Sequence, residues 1–193
     1  MLEEVRRETP VKTETVIADG EDLPEAEPEK TEAIQQSAIQ TNEVLSSELD
    51  SVLLAKSLRH MAVIEGIELT QSQIQTILYI AYGVRLATKG ERLTSEHPQM
   101  WQYGPVFPRA YNKLRKDAAD GTDEYYSLKT GHPNIFKYLE NCFRRYAWTK
   151  ACILSTPHLS EGTPWSQTRK SNPDRWGVRI EDELIREWFL PRV

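Results

Sequence analysis

The sequence has 193 residues, a formal net charge of −5, 39% hydrophobic residues and 27% charged residues. This length fits one domain of ordinary size with room for a tail. The longest apolar run, from Ile77 to Val84, is too short to span a bilayer. Two cysteines are too few for a disulfide framework, and the first residues do not resemble a signal peptide. We therefore expect a cytoplasmic protein.

The beginning of the chain differs from the rest in charge. Residues 1–50 hold 14 acidic and four basic side chains, a net charge of −10, so the remainder carries +5. Residues 1–45 contain three prolines and no aromatic residue. So few apolar side chains cannot bury enough surface to offset the entropy of ordering. We predict that residues 1–49 form a disordered acidic arm, which is either a solvated linker or a segment that folds on a partner or shields the positive charge of the body.

The body, residues 50–193, opens with a predicted helix over residues 48–65. Leu54 and Leu58 fall on one face of this helix, and Gly66 ends it. Only about four residues separate it from the next predicted helix. The two helices should therefore be neighbours in space.

The second helix has start and stop signals in its sequence. Thr70 and Gln73 have capping-box spacing, so each side chain can bond the backbone N–H of the other residue. Apolar residues then recur at steps of three and four, as on one face of a helix. Gly90 stands where a left-handed C-terminal cap is expected. The pattern predicts an amphipathic core helix over residues 71–89.

An aromatic segment follows a short polar link. It reads Trp101-Gln-Tyr-Gly-Pro-Val-Phe-Pro-Arg-Ala-Tyr111. The prolines restrict the backbone and Gly104 permits a turn, so we predict a rigid aromatic turn that feeds a helix over residues 108–119. It serves either as a corner that fills the core or as a rigid surface for a partner, because Trp and Tyr dominate interface anchors.

The remaining elements are less strongly patterned. A turn is predicted at residues 120–123. The other predictions are a short strand or ordered loop at 125–128, helices at 133–146 and 149–155, a stop at Pro157, a loop at 159–176 and a last helix at 180–190. Together these elements predict a mainly α protein, with a single compact helical domain of about five to seven helices behind the acidic arm.

No pattern of a reactive centre is present. Cys142, Cys152, His132 and His158 lack the short ligand spacings of structural zinc sites, and Cys142 sits at an apolar helical position, as a core residue would. The sequence has no nucleophile elbow, phosphate-binding loop or dinucleotide fingerprint. We predict no catalytic residue, no metal, no cofactor and no enzyme activity.

Nucleic-acid binding is a competing interpretation. Two groups of basic residues are each confined to a short segment, and the body carries +5, which favours weak attraction to phosphates. The groups are Lys113, Arg115 and Lys116, and Arg144, Arg145 and Lys150. A helix-turn-helix over residues 51–89 would, however, have an apolar second helix, and the acidic arm would compete for basic surface. Solvated helix faces account for these clusters more simply.

Two signatures resemble the Panacea domain family. The first is Ile77-Leu-Tyr-Ile-Ala-Tyr-Gly83 followed by the segment from Trp101 to Tyr111, and the second is Leu159-Ser-Glu-Gly-Thr-Pro-Trp165. The resemblance covers about residues 51–190. The chain departs from the family's Thr-His pair, since it reads Thr156-Pro157-His158, so the resemblance assigns no role to His158.

The resemblance implies a small, mostly helical antitoxin of a toxin–antitoxin pair, as found in bacteria and phages, including prophages. The predicted function is neutralisation of a cognate protein toxin by direct binding. The alternatives are a proteolytic adaptor that delivers a bound client to a protease, and a nucleic-acid-binding regulator. The residues singled out for the partner-binding signature are Trp101, Tyr103, Gly104, Pro105, Val106, Pro108, Tyr111 and Trp165. Trp148, between Arg145 and Lys150, fits an exposed anchor in a polar rim.

Overall fold

The computed structural model describes residues 49–193. The predicted disordered arm therefore lies outside the described residues, apart from Leu49. The described part contains α1 (Ser51–Ile64), α2 (Gln71–Lys89), β1 (Gln99–Trp101), β2 (Gly104–Val106), α3 (Pro108–Lys116), α4 (Thr122–Gly131), α5 (Pro133–Tyr146), α6 (Ala151–Leu159), α7 (Pro164–Ser171), β3 (Val178–Arg179), α8 (Asp182–Phe189) and a 3-10 turn, Leu190–Arg192. The prediction of a mainly helical protein is confirmed. None of the helices described here is long and apolar enough to cross a membrane.

Helix α2 is the central element of the described structure. It contacts α1, α3, α5, α6, α8 and β2, and 12 of its 19 residues are buried. Its predicted ends are confirmed. Thr70 and Gln73 form the capping box, and Gly90 adopts a left-handed conformation with φ +70°. Both signals are local backbone chemistry, so they do not depend on which element α2 packs against.

The segment predicted as an aromatic turn is a short β-hairpin. Strand β1 pairs with β2 antiparallel, with Met100 opposite Pro105 and Trp101 opposite Gly104. The loop between the strands has only two residues, and Gly104, which follows it, has φ +134°. Strand β3 pairs with the other edge of β1, so the sheet order is β2-β1-β3. The predicted helix does begin at Pro108, the first position of α3.

The prediction of a strand or loop at residues 125–128 is wrong, because these residues lie within α4. Tyr125 and Leu128 are three residues apart and both are buried, so they share the helix face that packs on α1. Asp123 and Glu124 lie in the first turn, where negative charge favours a helix. A run of four residues is too short to distinguish a strand from a single buried helix face.

The predicted stop at Pro157 is also wrong, since α6 continues to Leu159. A proline inside a helix removes one backbone bond, here to the carbonyl of Ile153. Ile153 is 61% exposed, so water can replace the missing donor. Residues 159–176 were predicted to form a loop, but they include α7. The side chain of Thr163 caps this helix by accepting a hydrogen bond from the N–H of Ser166. The described residues thus contain eight α-helices, including α4 and α7, which the sequence did not predict.

One carboxylate of α8 makes polar contacts with several neighbouring segments. Asp182 accepts hydrogen bonds from the hydroxyl of Tyr82 and from Nε of Arg92, both at 2.6 Å. His97 Nδ1 and an Arg179 nitrogen lie 3.4 and 3.8 Å from its oxygens. Burial raises the pKa of the Asp182 carboxyl, but the bonds from Tyr82 and Arg92 outweigh it and hold that pKa below its ordinary value. Burial also lowers the pKa of His97, so this imidazole is neutral at pH 7.

Asp182→Asn should destabilise the protein by about 1–3 kcal/mol at pH 7, because hydrogen bonds to a charged group are lost. The carboxylate contributes its full stabilisation above the unfolded-state pKa, near 4, and loses it as the pH falls through the lower folded-state pKa. The difference between wild type and Asp182→Asn should therefore shrink below about pH 4. Urea unfolding of both proteins at pH 7 and pH 3 measures it, and an equal difference at the two pH values would contradict this assignment.

Phe189 of α8 packs directly on α2 at Gly83. A Cβ built on Gly83 would lie 2.2 Å from two carbons of the Phe189 ring. The absence of a side chain at this position lets the two helices approach closely. Tyr79 extends the same contact, with its ring 5.8 Å from that of Phe189 in an edge-on arrangement.

Candidate partner-binding surface

Two glutamine side chains of α2 hold the hairpin and α3 in place. The backbone N–H of Phe107 donates to Oε1 of Gln75 at 2.8 Å, and Nε2 of Gln71 donates to the carbonyl of Tyr111 at 2.6 Å. Gln71 and Gln75 are four residues apart, so they project from one side of α2. Gln75 is buried, and a lost partner there would leave the buried N–H of Phe107 unsatisfied.

Phe107 is the apolar anchor of the hairpin. Its side chain is fully buried, and its ring meets Tyr82 of α2 edge-on, with 5.5 Å between centroids. Ala110 and Leu114 on the following helix are buried too. The exit of β2 and one face of α3 are therefore part of the core, which fixes the direction in which the hairpin projects.

Three half-buried aromatic side chains support the outer part of the hairpin. The rings of Trp101 and Tyr111 lie 5.1 Å apart in a tilted arrangement. Nε1 of Trp165 donates to the carbonyl of Trp101 at 2.8 Å, and Nε1 of Trp101 donates to the side chain of Gln99 at 3.2 Å. Both signatures seen in the sequence thus meet at Trp101.

Tyr103 differs from the other residues of the signature because it is 80% exposed. It lies at the tip of the two-residue loop. Gly104 and Pro105 are buried, and Val106 and Pro108 are half-buried. Of the eight signature residues, the structure places seven in or against the scaffold and presents Tyr103 to solvent.

The charged groups beside the hairpin stabilise the start of α3. The backbone N–H of Arg109, in the first turn, donates to Oε1 of Glu96 at 2.9 Å, as expected for a carboxylate at a helix N-terminus. Ser51 donates to the other oxygen of Glu96, and an Arg109 nitrogen lies 2.8 Å from Asp50. These contacts join α1, the polar link and α3 under the hairpin.

The sequence interpretation missed the glutamines. Outside the capping box it assigned no role to the glutamines of α2, yet Gln75 is 3% exposed and Gln73 is 8% exposed. The available signal was their spacing, because Gln71 and Gln75 lie four residues apart on one side of a helix whose centre is apolar. A buried glutamine is expected to have a hydrogen-bond partner, and here that partner is the backbone N–H of Phe107 at the end of the hairpin.

His158 is a buried aromatic residue of the core. Its ring lies 5.4 Å from Tyr79 edge-on and stacks on Phe189 at 6.1 Å. Burial lowers its pKa to about 4, so it is neutral at pH 7. Cys142 is buried, and burial raises the pKa of its thiol to about 11. Within residues 49–193, no three His, Cys, Asp or Glu side chains are grouped to hold a metal ion.

Other exposed groups lie outside the hairpin. Trp148 is 66% exposed, at the turn that follows α5. Lys113, Arg115 and Lys116 are exposed on the last turn of α3, and Arg144 pairs with Glu140 at 3.2 Å. Both predicted basic groups are thus exposed, and part of their charge is paired with acidic residues of the described part of the chain.

Residues 74–147 match the family described as antitoxin SocA-like, Panacea domain. The matched range runs from α2 to the end of α5 and includes Trp101–Tyr111, so the resemblance drawn from the first signature is confirmed. The second signature, which ends at Trp165, lies outside the matched range. Searches of curated proteins and of solved structures gave no significant match.

Proposed function

We propose, from the SocA-like antitoxin Panacea domain that residues 74–147 match, that this protein neutralises a cognate protein toxin by binding it directly. The match supports an antitoxin role in general, and it is the observation that carries the proposal. Binding alone is proposed to be sufficient, without catalysis by this chain. The toxin would be held in a stoichiometric complex.

The hairpin is the surface proposed to contact the toxin. Tyr103 is exposed at its tip, while Phe107, Gln75 and the ring cluster around Trp101 hold the backbone beneath it. An aromatic side chain on a rigid turn loses little conformational freedom on binding. Tyr is also among the residues that contribute most to interface affinity. This arrangement supports a role for Tyr103 as an anchor in a partner's pocket.

Expression of the neighbouring open reading frame tests the proposal. The adjacent gene product, expressed alone, should arrest growth, and co-expression with this protein should restore it. The two proteins should then co-purify at a fixed ratio. Growth arrest that persists on co-expression, or rescue without a complex, would refute neutralisation by direct binding.

Tyr103→Ala should weaken toxin binding by about 30-fold, as expected for an interface anchor worth 2 kcal/mol or more. Its stability should stay within about 0.5 kcal/mol of wild type, because the side chain is exposed. Tyr126→Ala is the matched control, since Tyr126 is also an exposed tyrosine, 54% accessible and on α4. Calorimetric titration with purified toxin and thermal unfolding measure the two effects. Equal affinities for the two variants would exclude Tyr103 as the anchor.

A second proposed function is a proteolytic adaptor, and the acidic composition of residues 1–49 favours it. In this scheme the body binds the client and the arm engages a protease. Deletion of residues 1–45 should then leave complex formation intact but lengthen the half-life of the toxin in cells. Unchanged half-life and unchanged neutralisation would remove the basis for this function.

A further inference from the structure

A groove of about 420 Å³ lies between the end of α1, the link at residues 66–69 and the end of α3. Its lining includes Ala62, Val63, Ile67, Leu69 and Leu114, which together are called its apolar floor. Val63 is 52% exposed, although it follows the buried part of α1. The groove therefore exposes apolar surface where an apolar side chain could be buried.

One rim of the groove is positively charged. Arg115 and Lys116 line it and are exposed, and neither forms an ion pair with any residue in 49–193. Asp117, which also lines the groove, lies 2.8 Å from Nζ of Lys56. Glu68 faces the groove from the opposite side. The α3 rim thus has two cations available to an acidic ligand.

Arg59 fixes the shape of this rim. Its guanidinium donates to the carbonyl oxygens of Leu114, Asp117 and Ala119 at 2.9, 2.6 and 3.0 Å. These carbonyls lie at and just after the C-terminus of α3, where a cation is favourable. The positions of Arg115 and Lys116 relative to the apolar floor are therefore set by contacts between α1 and α3.

The chain itself contains a segment with the matching chemistry. Val16 and Ile17 are adjacent apolar residues, and Asp19, Glu21 and Asp22 follow within five positions. Two branched apolar side chains suit the floor of the groove, and three carboxylates suit the two cations on its α3 rim. Residues 1–50 carry a net charge of −10 and the remainder +5, so the wider field favours the same contact.

The segment can reach the groove. Helix α1 has 14 residues, so the groove at its far end lies about 21 Å from Asp50 along the helix axis. Between Ile17 and Asp50 the sequence has 32 residues, which would span about 48 Å even if they were wholly helical. A segment tethered in this way meets its site at a high effective concentration, so modest intrinsic affinity is enough.

We infer that residues 16–22 dock intramolecularly in the groove between α1 and α3, with Val16 and Ile17 on the apolar floor and the acidic residues against Arg115 and Lys116. In this arrangement the segment occupies the groove. A partner that binds there must displace it. The inference does not depend on the identity of the toxin or on the role of Tyr103.

Paramagnetic broadening in the full chain tests the docking. A nitroxide is attached at Ala18→Cys in a Cys152→Ser background, because Cys142 is buried and Cys152 is exposed. Amide signals of residues 67–69 and 115–116 should lose most of their intensity, while those of α8 should keep theirs. No broadening in the body, or broadening spread evenly over it, would overturn the inference.

Variants separate specific docking from general attraction. Val16→Ser with Ile17→Ser should abolish the local broadening, as should Arg115→Glu with Lys116→Glu. The matched control, Lys137→Glu with Arg145→Glu, changes the charge equally on exposed positions of α5 and should leave the broadening in place. A loss of equal size in this control would show a nonspecific charge effect and refute the docking.

A mixed sample tests whether the occupant of the groove is instead a segment of a second copy of the chain. Isotope-labelled chain without nitroxide is combined with unlabelled chain that carries it. The inference expects no broadening in this sample. Broadening at residues 67–69 and 115–116 of the labelled chain would show docking between molecules and would overturn the intramolecular assignment.

Discussion

Gly121→Ala should destabilise the fold by about 3 kcal/mol or more. Gly121 precedes α4 with φ +85°, a conformation that costs other residues roughly 1–2 kcal/mol. A Cβ built there would also lie 2.3 Å from the carbonyl oxygen of Lys56. That oxygen belongs to the backbone of α1 and cannot rotate away, so α4 must move, and overpacking of this kind costs about 1–3 kcal/mol.

Gly131→Ala is the matched control for this substitution. Gly131 is the last residue of α4, and nothing lies within 4 Å of a Cβ built on it. Alanine there should be neutral or stabilise the protein by about 0.5 kcal/mol, since glycine is a poor helix residue. Urea unfolding of the two variants measures the contrast. A Gly121→Ala protein as stable as Gly131→Ala would mean that α1 and α4 are not packed as described.

Phe107→Ala should cost about 3–5 kcal/mol, the usual range for a fully buried phenylalanine. It removes the ring that contacts Tyr82 and leaves a cavity beneath the hairpin. The substitution does not remove the backbone N–H of Phe107 that donates to Gln75, but this hydrogen bond forms only if the hairpin keeps its position. We therefore expect lower stability together with weaker toxin binding.

The comparison with Tyr103→Ala separates the scaffold from the contact. Tyr103→Ala should lose affinity with unchanged stability, whereas Phe107→Ala should lose both. Denaturant unfolding gives the stability of each variant, and titration at a temperature where both are folded gives the affinity. If Phe107→Ala unfolds at the same urea concentration as wild type, the hairpin is not anchored through this ring.

The elements predicted correctly from sequence are those with local signals. The capping box at Thr70, the left-handed cap at Gly90 and the first-turn Pro108 each follow from backbone chemistry within a few residues. Helix α4 was missed because its apolar pattern is two residues, Tyr125 and Leu128, which become a helix face only through burial against α1.

The candidate surface was predicted in part. The signature from Trp101 to Tyr111 identified the segment, but the sequence could not distinguish exposed from buried members. That distinction depends on partners far along the chain: Gln75 for the hairpin exit, Trp165 for the carbonyl of Trp101, and Tyr82 for Phe107. The prediction that a helix stops at Pro157 was wrong because the outcome depends on exposure, which the sequence does not show. Solvent at the surface of α6 can replace the hydrogen bond that the proline removes.

The contact of α8 with α2 determines where this protein can be truncated without exposing its core. The region matching the family ends at residue 147. Beyond it, Phe189 of α8 packs on Gly83, and Asp182 accepts a hydrogen bond from the hydroxyl of Tyr82. A shortened protein that stopped at 147 would lack both and would expose the aromatic side of its own central helix to water. The region that matches the family is therefore smaller than the packed unit that the structure describes, and the C-terminal 46 residues belong to that unit.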